Sequence, residues 1–280
     1  MNGQNKHIME FTTKSQAVKS TGLSYLGSIN SSAKIKKNKK VSNQYTYILY
    51  LMPHKASGYN VCSLATTECI IGCLNTSGRV KMDTKNMIIN SRIAKTKLFF
   101  EQRDFFMNWL VTEIKSAQLK AIKDGYGFSV RLNGTSDIHW GAYKINGKNI
   151  FDTFPTVQFY DYTKIAKKFD NVPENYHLTY SYTGRNWDNA EMLLKKGFNV
   201  AVIFNTDMLP STFKGYEVVN GDLTDYRVKD SKGIIVGLKW KRIANKANDK
   251  QIRNSVFVVQ PQDKDCSYIV TTEMPMRIAI

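Results

Sequence analysis

Long apolar runs are missing from this chain. Nothing in its 280 residues approaches the roughly 18 consecutive apolar positions of a membrane span, which argues against a membrane protein. The first residues, "MNGQNKHIMEF", lack the apolar core of a secretory signal, so the expected location is a reducing cytoplasm. Cysteine is scarce too. Four in 280 residues are too few for a disulfide scaffold, and in a reducing compartment clustered thiols are more often metal-binding or catalytic. No internal repeat stands out. Acidic residues are also short: 23 against 40 Lys and Arg, a formal net charge of +17. Such an imbalance attracts polyanions, because neutralised phosphates release their counterions. A nucleic acid or nucleotide is therefore the expected partner, ahead of a plain lysine-rich surface. An anionic membrane would call for a basic amphipathic helix, and none is visible.

Three stretches differ in character. Residues 1–43 hold eight Lys and one acidic residue with little apolar periodicity, which reads as a flexible basic arm with a short pairing segment near 23–29. Residues 44–245 carry short apolar runs: "YTYILYL" (45–51), "FSVRL" (128–132), "VQFYDY" (157–162), "HLTYSY" (177–182), "NVAVIF" (199–204), "YEVV" (216–219) and "IIVGLKW" (234–240). The first run does not alternate, as expected of a strand buried on both faces. Helical spacing is expected to about residue 100 and again over 102–123, where an aromatic stripe marks core. Strands at intervals that admit helices or compact crossovers predict parallel βα units, and hence an α/β fold closing as a complete or partial (β/α) barrel. A doubly wound open sheet is the runner-up. Residues 205–233 fit least well, and 246–280 read as a C-terminal extension.

In such folds the chemistry gathers at the carboxyl ends of the strands. Polar groups follow every run: Arg131, Asn133, Thr135, Ser136 and Asp137; Asp161, Thr163 and Lys164; Ser181, Thr183 and Arg185; Asn205 and Asp207; Asp222, Asp225 and Arg227; Lys239 and Lys241. Individually these are ordinary turn residues. Together they predict a charged rim able to bind a nucleotide or phosphate. Asp137, Asp161, Arg185 and Asp222 are the catalytic candidates. Arg131, Asn133, Thr135, Ser136 and Lys239 are the candidates for holding a cofactor or substrate.

Three of the four cysteines fall within "CSLATTECIIGC": Cys62, Cys69 and Cys73, spaced C-x6-C-x3-C after the first strand. Disulfide pairing would leave one thiol over, and a lone nucleophile needs no companions. A structural zinc needs a fourth ligand, His54 or Cys266, and usually shows paired C-x2-C knuckles. An iron–sulfur cubane (4Fe-4S) on three thiolates leaves one iron open or capped, with Cys266 able to cap it. Both stay open, with the cluster favoured. Tyr59, His54 and Arg79 flank the trio, either shaping the cluster's surroundings or anchoring the loop. Three cysteines after the first strand is also the layout of radical S-adenosylmethionine enzymes. Their spacing, C-x3-C-x2-C, is not the one present here, and no glycine-rich run follows the next strand to bind S-adenosylmethionine.

The segments 47–79, "SVRLNGTSDI" (129–138), "FDTFPTVQFYDYTK" (151–164), "YHLTYSYTGRNW" (176–187), "NVAVIFNT" and "GIIVGLKWK" together resemble an uncharacterised bacteriophage protein family. More distantly they are similar to the mycobacteriophage gene 88-type proteins. The resemblance rests on a cysteine loop ending in a turn at 73–79, an Arg-Leu strand end at 131–137 and an aromatic strand at 180–187, and it spans about 45–245. It implies a phage origin, an infected host cell as the setting, and a barrel carrying a metal or iron–sulfur loop. Two functions follow as expectations. One is an iron–sulfur enzyme acting on nucleotides or nucleic acid, radical-S-adenosylmethionine-like in layout. The other is a non-catalytic, metal-stabilised protein that binds nucleic acid or a host component.

Overall fold

Apolar runs that cannot face water on either side become the strands of one sheet, in a computed structural model that describes residues 9–29, 32–73, 80 and 82–268. The chain begins with α1 (Lys14–Thr21), β1 (Gly27–Ile29), α2 (Ala33–Ser42), β2 (Gln44–Leu49) and α3 (Thr67–Ile71). Helices α4 (Met87–Glu101) and α5 (Arg103–Lys123) lead to β3 (Gly127–Arg131), the hairpin β4 (Lys144–Ile145) and β5 (Lys148–Asn149), and α6 (Ile150–Thr153). Then come β6 (Gln158–Thr163), β7 (Tyr176–Ser181), α7 (Trp187–Lys195) and β8 (Asn199–Phe204). The chain continues through β9 (Thr212–Phe213), β10 (Tyr216–Asn220), β11 (Ile235–Lys239), α8 (Lys246–Arg253) and β12 (Cys266–Ser267).

The ten-stranded sheet has the order β1-β2-β3-β6-β7-β8-β11-β10-β9-β12. Neighbours from β2 to β10 are parallel, whereas β1, β9 and β12 are added antiparallel. The expected barrel does not close. The edges of the parallel run, β2 and β10, do not pair with each other; each is occupied by a short antiparallel strand. The βα repeat also lapses after β8, where no helix separates β9, β10 and β11. An open sheet is the result, and its strands advance mainly in one direction, without the reversal of a doubly wound fold.

Strand alternation sorts the side chains onto two faces. One row across the sheet contains Tyr47, Val130, Phe159, Leu178, Val200 and Ile235. These pack into two apolar clusters with α5 and α7, through residues such as Phe106, Trp109, Leu193 and Leu194. The alternate row contains Thr46, Ser129, Arg131, Tyr160, Tyr162 and Thr179. Against it lie α2 and residues 222–227. Asn38 of α2, fully buried, donates to Thr46 and Tyr160 and accepts from Thr224 and from the Asp225 backbone.

Residues 9–29 and 32–43 are therefore not the flexible arm that their lysines suggest. Glu113, buried on α5, accepts from the backbone N–H groups of Leu26 and Gly27 at 3.1 and 3.0 Å and from the Tyr47 hydroxyl at 2.7 Å. Such charge-assisted bonds hold the segment in place, Ala17 and Leu26 join the apolar cluster, and Ile35 of α2 is buried as well. Residues 1–8 lie outside the described part. The expected C-terminal extension is also integrated: β12 pairs with β9, and Ile252, Phe257 and Val258 pack against Cys69, Ile71 and Trp240. Residues 269–280 lie outside the described part.

Candidate active site

The carboxyl ends of the parallel strands surround a pocket of about 260 Å³. β3 supplies Arg131, with Asn133 to Asp137 following it; β6 supplies Tyr162 and then Lys164; β7 ends at Ser181 and Tyr182. Ala201 and Ile203 of β8, Leu238 of β11, and Trp240, Lys241 and Phe257 complete that side. The cysteine loop forms the opposite wall with Cys62, Cys69 and Cys73. The three thiols thus share one cavity.

Local bonds explain their placement. Thr66 caps α3 by accepting from the Cys69 N–H at 3.2 Å, which sets Cys69 in the first turn. Asn60 accepts from the Cys62 N–H at 3.0 Å, and the Cys62 thiol donates to the Thr135 carbonyl at 3.8 Å. The loop after β3 is bound to its neighbours: Asp137 N–H donates to the Val61 carbonyl at 2.7 Å, and Gly134 N–H to that of Leu49 at 3.1 Å. A Cβ at Gly134 would come within 2.6 Å of the Leu49 oxygen, so only glycine fits this approach.

Burial pushes the Cys62 thiol up to about 11; the nearby Cys73 and Cys69 sulfurs and Asp137 add to that, while a backbone hydrogen bond with His54 opposes it. Burial would lower the Lys164 ammonium, but the Cys69 sulfur and Asp137 hold it above its usual value. The raised Cys62 thiol and the retained Lys164 cation therefore share one cavity. Among the described residues, no three His, Cys, Asp or Glu side chains group closely enough to hold a single metal ion.

The polar candidates divide by what holds them. Asn133 Oδ1 accepts from Ser136, the Ile138 N–H and Trp140, so Asn133 and Ser136 shape the loop on which they sit. Thr135 donates to the Leu51 carbonyl. Asp137 accepts from Thr163, the Lys164 N–H and Lys168, the last at 2.6 Å. Asp161 is buried outside the pocket lining and accepts from the Asn133 N–H and Tyr176. Its burial raises the carboxyl to about 7 despite Arg131. Asp222 accepts from the Lys239 N–H and pairs with Lys241 at 3.0 Å. Lys239 lines the pocket, and its ammonium donates to the Asp207 carbonyl.

Arg185 is exposed and outside the lining; it pairs with Glu68 of α3 at 2.8 Å. Neither His54 nor Cys266 lines the pocket. His54 sits in a left-handed turn, and Cys266 donates to the Gln260 carbonyl from β12. Neither joins the trio in the pocket lining, although the His54 backbone hydrogen-bonds the Cys62 thiol.

One member of the site, Lys34, was out of sight in the sequence, and a second, Asp225, was visible only as one of many rim residues. Lys34 of α2 lines the pocket and lies 3.3 Å from Asp225, whose other oxygen accepts from Arg131 at 2.8 Å. Burial would raise the Asp225 carboxyl, but Arg131 and Lys34 hold it down at about 2. Asp225 stood in the irregular stretch and Lys34 in the supposed arm. The one available signal was lysine density, which does not distinguish a tethered helix from a mobile tail.

A model of the family described as Gene product 88 matches residues 25–260, most of the chain. The chain belongs to this bacteriophage family. No curated protein and no solved structure matches it. The family match takes in β1, α2 and α8, beyond the 45–245 span of the resemblance. Of the motifs behind that resemblance, 131–137 and 180–187 border the pocket, while 74–79 lie outside the described residues. Among the described residues, no helix is long and apolar enough to cross a membrane.

Proposed function

We propose that the pocket is an active site in which Cys62, Cys69 and Cys73 hold an iron–sulfur cluster and the cationic wall receives a nucleotide. The observation that carries this reading is that three thiols from separate turns of one loop line a single cavity at the strand ends. The residues suit the group. A cubane binds its thiolates through different irons and so asks for a wider ligand spacing than a single ion, in keeping with a trio that shares a cavity without closing on a point. Lys164 beside Cys69 would offset the negative charge of bound thiolates. Such a cluster, when bound, supplies one-electron chemistry and an iron with a free coordination position.

The other side chains bind and orient. Lys34, Lys239 and Lys241 border the cavity with charges suited to phosphate, and Tyr182, Trp240 and Phe257 give it faces on which a base can stack. Tyr162 also borders it, with a buried hydroxyl that has no hydrogen-bond partner, a group a ligand or an ordered water would satisfy. Arg131, locked by Asp225, fixes the floor.

One observation favours the second reading, a metal-pinned nucleic-acid binder without catalysis. The two carboxylates among the residues lining the pocket, Asp137 and Asp225, are both engaged in internal bonds, as Asp161 and Asp222 are outside it, which argues against a general acid or base of the expected kind. Anaerobic purification with iron, sulfide and zinc analysis separates the two. Iron and sulfide in similar amounts, with a broad visible absorption that S-adenosylmethionine or a nucleotide perturbs, is the expected result. A colourless protein with one zinc contradicts the enzyme reading.

A further inference from the structure

Beyond the pocket, cations continue along the surface farther than one nucleotide can use. Helix α2 contains five lysines and no acidic residue. Lys34 points into the pocket lining, whereas Lys36, Lys37 and Lys40 are exposed. On the far side of the mouth, Lys239 and Lys241 border the cavity, and the chain runs on through exposed Arg242 to Lys246 and Lys250, exposed on α8. The two stretches meet at Asp222: Lys37 donates to its carbonyl at 2.8 Å, and Lys241 pairs with its carboxylate at 3.0 Å. Three carboxylates along this path are already engaged, Asp222 by Lys241, Asp225 by Arg131, and Asp249 by the Ile243 N–H, while the exposed Asp207 lies beside Lys239. Positive charge thus passes the pocket mouth as a ridge. Helix α2 alone, at 1.5 Å per residue, extends about 15 Å, which is longer than one phosphate group needs.

We propose that the nucleotide enters the pocket as part of a single-stranded nucleic acid, whose backbone lies along the ridge from α2 to α8. The inference rests on the reading of the pocket as a nucleotide site. A free nucleotide would use Lys34, Lys239 and Lys241 only; a strand would also use Lys36, Lys40 and Lys250. Single-strandedness follows from the pocket, because a paired base must leave its stack before it can reach Tyr182 and Trp240. Backbone contact by lysine is sequence-tolerant and sensitive to salt.

The test is fluorescence polarisation with a labelled strand of roughly 20 nucleotides, in DNA and RNA forms, against the matching duplex and a mononucleotide competitor. Salt is varied from about 50 to about 200 mM. The wild-type protein binds the single strand more tightly than the duplex, and the mononucleotide competes poorly. The K36E/K37E/K40E variant binds at least about tenfold more weakly, with a shallower salt slope. A second variant, K246E/K250E, leaves α2 untouched and loses binding in the same direction. Unchanged affinity in both variants overturns the proposal. So does a mononucleotide that binds as tightly as the strand, or a duplex that binds better. Iron content is measured on the same samples: an iron-free protein that still binds strands refutes the cluster and leaves the ridge standing. An iron-loaded protein indifferent to strands does the reverse.

Discussion

The two faces of this sheet are made by the same strands and behave as different materials. On β6, Phe159 enters the apolar cluster under α6, while its neighbour Tyr160 turns to the polar face and bonds Asn38 and Asp225. On β3, Val130 is core and Arg131 is the floor of the pocket. A shift of one residue in register would exchange core and site. The apolar face fixes the register, and the polar face inherits its geometry from it. The polar face in turn costs stability unless its groups are paired, which is why Arg131, Asp225, Lys34 and Asn38 form a connected network.

Substitutions on the two faces should differ in kind. The largest loss is expected on the apolar face. Trp109 is fully buried and edge-on to Phe105, so Trp109→Ala should cost about 3–5 kcal/mol in denaturant unfolding and lower every activity in proportion to the unfolded fraction. On the polar face, Arg131→Met leaves the Asp225 carboxylate with Lys34 as its paired cation and the Tyr160 hydroxyl as donor, and should cost about 3 kcal/mol near neutral pH. Its pH signature sharpens the contrast. The folded Asp225 carboxyl at about 2 lies below its unfolded value, so its stabilisation is complete above roughly pH 4 and is lost as pH falls towards 2. In Arg131→Met the folded carboxyl moves up towards its unfolded value, so this acid-linked loss should shrink. Trp109→Ala should leave the pH profile unshifted.

Asp161 has the opposite sign. Its folded value of about 7 lies above the unfolded one, so its contribution is fully present below roughly pH 4 and is lost as pH rises through 7. Asp161→Asn should therefore gain on the wild type across that interval, by up to about 1.4 kcal/mol per pH unit. A parallel pair of stability curves would show that Asp161 stays ionised throughout. The smallest effect belongs to the exposed Arg185–Glu68 pair. Arg185→Ala should cost under about 1 kcal/mol, and raised salt should diminish even that difference.

The legibility of the chain follows the same division. Strands covered on both faces leave nearly unbroken apolar runs, and 199–204 matches β8 while 157–162 lies one residue from β6. Helices α4 and α5 were legible from their spacing. β1, β9 and β12 have two or three residues each, too few for a pattern, yet they occupy the sheet edges and so decide that it stays open. Helix α2 buries only Ile35 and Asn38, and its other positions are so rich in lysine that it reads as a tail. The rim was legible as a set because polar residues must follow strands in any such sheet. Which of them face the cavity was not, since that depends on loops such as 133–138, held both by bonds within the loop and by bonds to Leu49, Leu51 and Val61.

The most direct measurement is the iron and acid-labile sulfide content of four single variants, Cys62→Ser, Cys69→Ser, Cys73→Ser and Cys266→Ser, reconstituted anaerobically beside the wild type. The account predicts that the first three lose most of the bound iron and its visible absorption, while Cys266→Ser, whose thiol lies on β12 away from the pocket, retains both. Equal loss in all four, or iron that persists after removal of any one of the pocket thiols, would contradict it.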